Sequence, residues 1–227
     1  MTATIRSDIE RPTERARALA AGVPPAVASD VMDRLNAMEA AISPVSSRTE
    51  LAGTAVTVDC MVGDNLLPHK AIEIAEPNDV LVIDAQSHED TAVWGDIMTQ
   101  ACVKRDIAGV VIDGAIRDVR EASDRDFPIF CRETVPAGPH KGWGGKINTR
   151  IQCGGVSVRP GDIVLGDSDG IAVVPRDRAE RVLERAHERL EKETEWRDAI
   201  ESGASTMEAI GLNEVFDNLD VKYLDKD

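Results

Sequence analysis

Long apolar runs and aromatic residues are both scarce in this sequence. No stretch approaches the roughly 18 consecutive apolar residues that a membrane-spanning helix needs, and the charged N-terminus lacks the apolar stretch of a signal peptide. Aromatic residues make up 3% of the chain, although apolar residues in total reach 42%. A folded core can therefore form, mainly from Val, Ile, Leu and Ala. We expect a soluble, cytoplasmic protein with no membrane partner.

Paired cysteines are also absent. The four cysteines, Cys60, Cys102, Cys131 and Cys153, lie far apart and form no CxxC pair. Disulfide frameworks and structural zinc sites are typically built from closely or regularly spaced cysteines. The sequence therefore predicts four free, partly buried thiols.

Basic residues are outnumbered by acidic ones, at 26 against 41, which gives a formal net charge of −15. A uniform field of this sign repels the phosphate backbone of DNA and RNA. We therefore predict that nucleic acid is not a partner of this protein.

The apolar pattern predicts a single α/β domain over residues 1–227, without an obvious linker or a repeat of fixed period. Its core is expected over about residues 24–175, a long helix over about 176–202, and an acidic tail over 204–227. Gly203 suits the end of that helix, because glycine readily adopts a left-handed conformation. The other expected elements are helices over 13–22, 24–38 and through His69 to Ile74, and strands over 51–61, 128–130, 147–158 and 162–175, the last interrupted by Asp167-Ser168-Asp169-Gly170.

The middle of the chain predicts a strand–helix–strand crossover. An apolar strand over 80–84 leads through a loop over 85–94 into a helix over 95–105, and a second apolar strand follows over 109–112. Strands joined in this way run parallel, so their carboxyl ends and the start of the helix share one edge of the sheet. Open α/β sheets bind ligands at that edge. The expected loop after the second strand carries Asp113, Gly114, Arg117 and Asp118.

The start of the crossover helix is suited to bind a small anion. The amides of Asp96, Ile97 and Met98 belong to the first helical turn, where they have no acceptor within the helix. Gly95 has no side chain, so a ligand can approach the backbone closely there. We therefore predict that a substrate carboxylate binds at these four residues.

Arg117 and Asp118 add a cation and a metal-binding carboxylate to the same edge. A planar guanidinium binds carboxylate or enolate oxygens in pairs. The carboxylate of Asp118 suits Mg²⁺ or Mn²⁺, because magnesium binds through one or two carboxylates and keeps several waters. The residues alone leave a second interpretation open, in which Arg117 and Asp118 form a surface ion pair and Asp96 only caps its helix.

The spacing of these residues resembles that of the RraA-like family. Gly95-Asp96, twenty intervening residues and then Arg117-Asp118 match the family's motif. The family includes the 4-hydroxy-4-methyl-2-oxoglutarate and 4-carboxy-4-hydroxy-2-oxoadipate aldolases. The similarity extends from about Asp30 to Gly203 and takes in Gly63-Asp64-Asn65 with His69, Pro77–Asp84, Gly114–Arg120, Phe127-Pro128, Lys141–Asn148, Gly154–Val156, Pro160–Asp162 and Asp167–Pro175.

The resemblance implies a β/β/α swivelling-type fold assembled as homotrimers or homohexamers, with sites between subunits. It also implies roles for single residues. The amides of Gly95 to Met98 and the side chain of Arg117 would bind the pyruvyl part of the substrate. Asp118 would hold the divalent metal, directly or through water, and Asp96 would position a catalytic water. Glu193 would be supplied by the C-terminal helix of a neighbouring subunit.

Glu193 can also be judged from the pattern of its own helix. Val182, Ala186 and Leu190 form an apolar stripe, and Glu193 continues it three residues later. This spacing turns Glu193 toward whatever the helix packs on. Because charged neighbours surround it on a highly charged helix, a solvated glutamate is the alternative.

Further polar residues lie near the same sheet edge. Asn65 and His69 are one helical turn apart. We expect Asn65 to contact substrate and His69 to be a packing histidine. His140 and Lys141 are weaker candidates for acid–base groups, supported only by their position in a loop. A distal substrate carboxylate has three open candidates: Arg120, Arg132 and Arg150.

Together, these expectations predict a divalent-metal-dependent lyase of the class II aldolase type. It would cleave 4-hydroxy-2-oxo acids to pyruvate and a second carbonyl compound. Decarboxylation of oxaloacetate needs the same pyruvate enolate and is expected as a side activity. The alternative is a non-catalytic protein that binds and inhibits a ribonuclease, as other RraA-like proteins are described to do.

Overall fold

The structure is a computed structural model and describes residues 2–223. Its contacts divide the chain into two compact units, of which the first ends at Ala186 and the second begins at His187. The division falls inside the long C-terminal helix, so the expectation of a single domain stays a prediction. No helix within the described residues is long and apolar enough to cross a membrane.

The first unit contains all the strands of the described chain and most of the helices. The strands are β1 (Ala3–Ile5), β2 (Ser43–Pro44), β3 (Leu51–Cys60), β4 (Asp79–Trp94), β5 (Gly109–Ile116), β6 (Ile129–Thr134), β7 (Gly145–Ile147), β8 (Ile151–Cys153), β9 (Val156–Val158), β10 (Ile163–Asp167) and β11 (Gly170–Val174). The helices are α1 (Glu14–Ala20), α2 (Pro25–Val31), α3 (Leu66–Ile74), α4 (Asp96–Lys104), α5 (Val119–Ser123) and the start of α6 (Ala179–Glu201), which a short 3₁₀ turn (Arg176–Arg178) precedes.

Nine strands form one mixed sheet in the order β1-β7-β3-β4-β5-β6-β2, with the β10–β11 hairpin attached to β3. The central strands β3, β4, β5 and β6 run parallel to one another, which confirms the predicted crossover, whereas β7, β10 and β2 pair with them antiparallel. Strands β8 and β9 form a separate hairpin. The predicted class, a mixed α/β fold with a central sheet and a long C-terminal helix, is therefore confirmed.

Both faces of the central sheet are buried. On β4, Leu81 and Ile83 join one apolar cluster, to which α3 and α4 also contribute. Val80 and Val82 point to the opposite face and join a second cluster with residues of β8 to β11. Because successive strand residues alternate between faces, burial on both sides explains the unbroken apolar run that predicted this strand.

Two loops predicted around the crossover are strands in the structure, so these predictions were wrong. Strand β4 continues through residues 85–94 and β5 continues through residues 113–116, with irregular register from His88 paired with Gly114 to Trp94 paired with Ile116. Bulges of this kind interrupt the alternation of apolar and polar residues while the backbone pairing continues. The sequence pattern therefore did not predict that β4 continues through residues 85–94.

Helix α2 is shorter than predicted. It ends at Val31 rather than at residue 38, because Asp33, Arg34 and Asn36 have positive φ angles that break the helical path. Leu35, which fitted the apolar spacing, is consequently 60% exposed. The helical period alone extended the prediction past the true end.

Turns divide both predicted strands after residue 147, as expected for the one over 162–175 and not expected for the one over 147–158. Gly154-Gly155 separates β8 from β9, and Ser168-Asp169 separates β10 from β11. The long helix predicted over 176–202 is confirmed, apart from its 3₁₀ first turn.

The second unit contains the remainder of α6 and the tail. The tail has two short helices, α7 (Thr206–Ile210) and α8 (Asn213–Asp217). Ser205 and Glu208 cap α7 by bonding to each other's backbone amides. Residues 224–227 of the predicted acidic tail lie outside the described residues.

All four cysteines are free, as predicted, and they are fully rather than partly buried. Burial raises the pKa of Cys60, Cys102 and Cys131 to about 12 and also raises the pKa of Cys153. Because the thiolate is the reactive form, we expect none of the four to react with Ellman's reagent at mildly alkaline pH in the folded protein. All four should react in denaturing guanidinium chloride. Rapid labelling of a native thiol would contradict this packing.

Candidate active site

A pocket of about 170 Å³ opens at the predicted edge of the sheet, where β4 and β5 end and α4 begins. It brings together the residues predicted from the crossover and several from the rest of the chain. Its lining consists of Asn65, His69, Trp94, Gly95, Ile97, Met98, Arg117, Asp118, Pro139 and Lys141.

Arg117 and Asp118 follow directly after β5 and face the start of α4. The backbone N–H of Arg117 donates to the carbonyl oxygen of Trp94 at 3.0 Å, which holds the two chain segments together. Asp118 has a φ of 57°, so its left-handed backbone turns the chain sharply into α5. The Arg117 Nε atom lies 3.6 Å from Oδ2 of Asp118. A cation and a carboxylate are thus placed side by side in the pocket.

Gly95 is required for this arrangement. A Cβ atom at that position would lie 2.5 Å from the Oδ2 atom of Asp118 and 3.4 Å from the Cγ atom of Arg117. The first distance is shorter than real Cβ contacts allow. Any side chain there would therefore displace the Asp118 carboxylate from the start of α4.

The amides at the start of α4 are only partly available to a ligand. The N–H of Asp96 donates to Oδ2 of Asp118 at 3.3 Å, and the N–H of Met98 donates to the carbonyl oxygen of Gly95 at 3.1 Å. The second bond tightens the first turn of the helix, as short i to i+3 bonds often do at helix ends. The N–H of Ile97 has no hydrogen-bond acceptor within residues 2–223, and the Ile97 side chain is 78% exposed. The expectation that all four amides are free is therefore corrected, because those of Asp96 and Met98 are already bonded.

The carboxylate of Asp96 does not line the pocket. It accepts two hydrogen bonds from Arg125, at 2.5 Å from Nε and 2.9 Å from Nη2. This bidentate pair holds the pKa of Asp96 below its ordinary value. Arg125 lies just beyond α5, and no pattern in the sequence predicted its contact with Asp96.

Asn65 lines the pocket and carries an unsatisfied polar atom. The residue is only 5% exposed, and its Nδ2 contacts the sulfur of Met98 at 3.5 Å. Its Oδ1 atom is buried without a hydrogen-bond partner among the described residues. Buried acceptors are normally paired, so Oδ1 is suited to accept a hydrogen bond from a ligand.

His69 and Lys141 form the other side of the pocket. Burial, together with the nearby charge of Lys141, lowers the pKa of His69. The ring of His69 therefore favours its neutral form, and the positive charge on this side comes from Lys141. His69 was predicted to be a packing histidine, but the structure places it in the lining.

The loop that carries Lys141 is fixed by contacts that sequence reasoning missed. Asp64 is fully buried and accepts from the N–H groups of Leu66 and Trp143, both at 3.0 Å. His140 stacks on Trp143 with 4.7 Å between ring centroids. Gly138 lies so close to Arg117 that a Cβ atom there would be 2.5 Å from Nη1. The sequence indicated only a turn at Asp64 and a loop rich in Gly and Pro.

Glu193 lies in the second unit, on α6. Its carboxylate pairs with Arg189 at 3.3 Å and with Arg197 at 3.1 Å, one helical turn away on either side. The side chain is 21% exposed, with these two arginines over its carboxylate. Its catalytic role stays a prediction.

The three arginines considered for a distal carboxylate are not part of the pocket lining. Arg132 is already paired with Asp113 at 2.7 Å and with Glu39 at 3.0 Å. Arg150 lines a different pocket, and Arg120 is exposed on α5. The only guanidinium in the lining is that of Arg117, within the described chain.

The pocket could hold a divalent metal only through few protein ligands. Within residues 2–223, no group of three or more His, Cys, Asp or Glu side chains is arranged to bind a metal. Asp118 is the carboxylate in the lining and is 43% exposed. A single carboxylate with a mostly aqueous shell fits Mg²⁺, which keeps several waters. It does not fit a structural zinc site, which needs four protein ligands.

Comparisons with known proteins identify the family to which the chain is similar. A family model described as "RraA-like: Aldolase/RraA" matches residues 26–173. The chain is 43% identical over 164 residues to a protein of Halalkalibacterium halodurans provisionally named 4-hydroxy-4-methyl-2-oxoglutarate aldolase, and the match covers 72% of this chain and 78% of that protein.

Solved structures give the same result for the fold. An uncharacterized protein of Pseudomonas syringae is similar with a TM-score of 0.77 and 25% identity, over 89% of this chain and all of that one. The RNA-processing inhibitor RraA of Thermus thermophilus is similar with a TM-score of 0.62 and 26% identity, over 66% of this chain and 92% of that one.

Proposed function

We propose that this chain, which belongs to the RraA-like family, is a divalent-metal-dependent lyase. Its fold is also that of the similar solved structures. Its reaction would be the cleavage of 4-hydroxy-2-oxo acids to pyruvate and a second carbonyl compound. The proposal is supported by one observation above all, the placement of Arg117, Asp118 and the start of α4 around a single pocket.

The substrate's 2-oxo acid end would bind between Arg117 and α4. The guanidinium would hold the carboxylate or the 2-oxo oxygen, with the N–H of Ile97 as a second donor. Asn65 could contribute Oδ1 as an acceptor or Nδ2 as a donor. These groups fix the substrate before reaction, and Arg117 also stabilises the negative charge that develops on the oxygen during cleavage.

Cleavage requires loss of the proton from the 4-hydroxyl group. The C3–C4 bond then breaks, its electron pair passes into the pyruvate enolate, and C3 of the enolate finally takes up a proton. A water held by Asp96 and by Glu193 of a neighbouring subunit would accept the hydroxyl proton. Arg125 supports this role for Asp96, because it keeps the carboxylate ionised and able to accept a hydrogen bond from water.

Asp118 is the residue that would hold the metal. A bound Mg²⁺ or Mn²⁺ would act as a Lewis acid on the 2-oxo acid. Oxaloacetate yields the same enolate when it loses carbon dioxide, without any hydroxyl proton to remove. Oxaloacetate decarboxylation is therefore part of the proposal, and it should not depend on Glu193.

A screen for pyruvate release tests the proposal directly. The purified protein would be incubated with a series of 4-hydroxy-2-oxo acids and with oxaloacetate, in the presence of Mg²⁺, Mn²⁺ or EDTA. We expect metal-dependent pyruvate release from at least one 4-hydroxy-2-oxo acid. Absence of turnover with every substrate and both metals would contradict the proposal.

Inhibition of a ribonuclease is the second candidate function. It is favoured by the similarity to the Thermus RNA-processing inhibitor and by the net charge of −15, which would suit a basic partner surface. This function needs no turnover. Inhibition of a ribonuclease that is unchanged by Arg117→Ala, together with a negative pyruvate screen, would favour it over the lyase.

Lys141 is expected to select substrates with a distal carboxylate. It lines the same pocket as Arg117, so the two cations could bind the two ends of a dicarboxylic substrate. We expect Lys141→Gln to raise KM for 4-hydroxy-4-methyl-2-oxoglutarate about tenfold or more, with a much smaller change for 4-hydroxy-2-oxopentanoate, which has no distal charge.

Lys146→Gln provides the matched control. Lys146 lies five residues further along, pairs with Asp59 at 3.1 Å and does not line the pocket. Steady-state kinetics of both variants on both substrates give the comparison. Equal losses on the charged and the uncharged substrate would show that Lys141 does not recognise the distal group.

A further inference from the structure

A second pocket of about 450 Å³ lies away from the candidate active site. The segment after β1, the connection between β7 and β8, and the turn at Pro160 surround it. We propose that it binds a small anion that also carries a hydroxyl group. Four arginines line it, Arg6, Arg150, Arg159 and Arg176, and it is called the arginine pocket below.

The charge of the arginine pocket is opposite to that of the protein. Its lining has four guanidinium groups and only two carboxylates, Asp8 and Glu10, whereas the whole chain has a net charge of −15. Like charges that share a small space repel one another unless anions compensate them. Two further carboxylates, Asp162 and Asp177, pair with Arg159 from outside the lining, so the positive charge that favours an anionic ligand is that of the arginines without an ion pair.

Two of the four guanidinium groups are already compensated by the protein. Arg159 pairs with Asp177 at 3.0 Å, and Arg176 pairs with Glu10 at 2.7 Å. For Arg6 and Arg150, no ion pair is found within residues 2–223. These two side chains are thus the donors that remain for a ligand, and a guanidinium binds carboxylate or phosphate oxygens in pairs.

Buried polar atoms in the lining indicate a further property of the ligand. Asn148 is only 4% exposed, and its Nδ2 donates to the carbonyl oxygen of Arg6 at 2.8 Å. This bond fixes the orientation of the amide and leaves Oδ1 without a partner in the described chain. The Oγ1 atom of the neighbouring Thr149 is likewise buried and unpaired.

An unpaired carbonyl oxygen needs a donor, which a simple anion does not provide. A ligand hydroxyl can donate to Oδ1 of Asn148, while Oγ1 of Thr149 can donate to the anionic group. The lining therefore fits a molecule that combines a carboxylate or phosphate with a hydroxyl. The backbone here is well anchored, since the N–H of Asn148 donates to the carbonyl oxygen of Thr57 at 2.8 Å.

The arginine pocket is separate from the candidate active site and shares none of its lining residues. Only β7, three residues long, connects the loop of Lys141 to Asn148. Strand β1 pairs with β7 and leads directly to Arg6. A ligand that bridges Arg6 and Arg150 would therefore hold the N-terminal strand against the sheet.

Binding can be measured by isothermal titration calorimetry with L-malate, glycerol 3-phosphate and succinate. The first two carry an anionic group and a hydroxyl, and succinate lacks the hydroxyl. We expect malate or glycerol 3-phosphate to bind at least about tenfold more tightly than succinate. The one that binds more tightly identifies the anionic group. Failure of both to bind, or binding of succinate that equals that of malate, would overturn the proposal.

Variants locate the binding site. The double variant Arg6→Ala with Arg150→Ala should weaken binding at least about tenfold, whereas Arg178→Ala, an arginine outside this pocket, should change it less than about twofold. Arg117→Ala separates this site from the candidate active site. Binding that persists in Arg117→Ala supports the proposal, whether or not the protein is a lyase. Binding that Arg117→Ala abolishes would assign the ligand to the active site and overturn it.

Discussion

Arg117→Ala and Asp118→Ala are each expected to lower kcat/KM at least about 100-fold, on the order of 3 kcal/mol of transition-state stabilisation. Arg117 is the guanidinium that lines the pocket, and no other arginine of the described chain reaches the lining to replace it. Asp118 is the carboxylate available to a metal. Each change removes a charge that matters most when negative charge develops on the substrate oxygen.

Controls distinguish these effects from loss of folding. Arg120→Ala removes an exposed arginine three residues away on α5 and should leave kcat/KM within about twofold. Arg117→Lys retains the charge but loses the paired geometry, so partial activity is expected. Circular dichroism and thermal unfolding should match the wild type for all of these variants. Wild-type rates in both alanine variants, or undiminished turnover in EDTA, would refute the proposed chemistry.

Phe130→Ala is expected to lower the free energy of unfolding by about 3–5 kcal/mol. Phe130 lies on β6 with no exposed surface and belongs to the apolar cluster between the central sheet and β8 to β11. Its ring end faces Gly166, where an added Cβ atom would lie 3.1 Å from Cζ. No side chain there can move easily to fill the space that alanine would leave, so a cavity should remain.

Phe216→Ala is the matched control, because it removes the same side chain from a position that is 39% exposed on α8. Its effect on the free energy of unfolding should stay within about 0.5 kcal/mol. Urea unfolding followed by circular dichroism measures both variants. Similar losses for the two would mean that the cluster around Phe130 is not the tightly packed core described here.

The pair formed by Asp96 and Arg125 affects how the lyase reaction would be organised. Asp96 is the residue predicted to position a water, yet its carboxylate is bound by Arg125 rather than facing the pocket. A water could still bind to it, since a carboxylate has about four acceptor positions and Arg125 uses two. Arg125 would then act as a positioning residue that orients Asp96.

Much of the site was predictable because its chemistry lies at the ends of predictable elements. The unbroken apolar run on β4 and the run on β5 identify two buried strands, and the helix between them makes these strands parallel. Parallel strands end at the same edge, so Gly95, Arg117 and Asp118 had to lie near one another. The spacing of these residues in the sequence then matched the RraA-like pattern.

Other features could not be read from the sequence. Strand β4 extends through a polar stretch, residues 86–91, because its backbone stays paired with β5 across bulges that interrupt the alternating pattern. Leu35 fitted a helical period although Asp33 and Arg34 had already turned the chain out of the helix. In both cases the path of the backbone differs from the one that the apolar period alone predicts.

The order of residues alone determined the crossover, its buried strands and the edge at which Arg117 and Asp118 would meet, because each depends on local periodicity and on the fixed geometry of strand and helix. Tertiary structure decided which side chains pair over long separations. Arg125 binds Asp96 across 29 positions, and Arg6 shares a pocket with Arg150 and Arg176. Contacts of this kind depend on distances in the folded chain, because electrostatic attraction acts through space. They therefore produce no periodic pattern in the sequence.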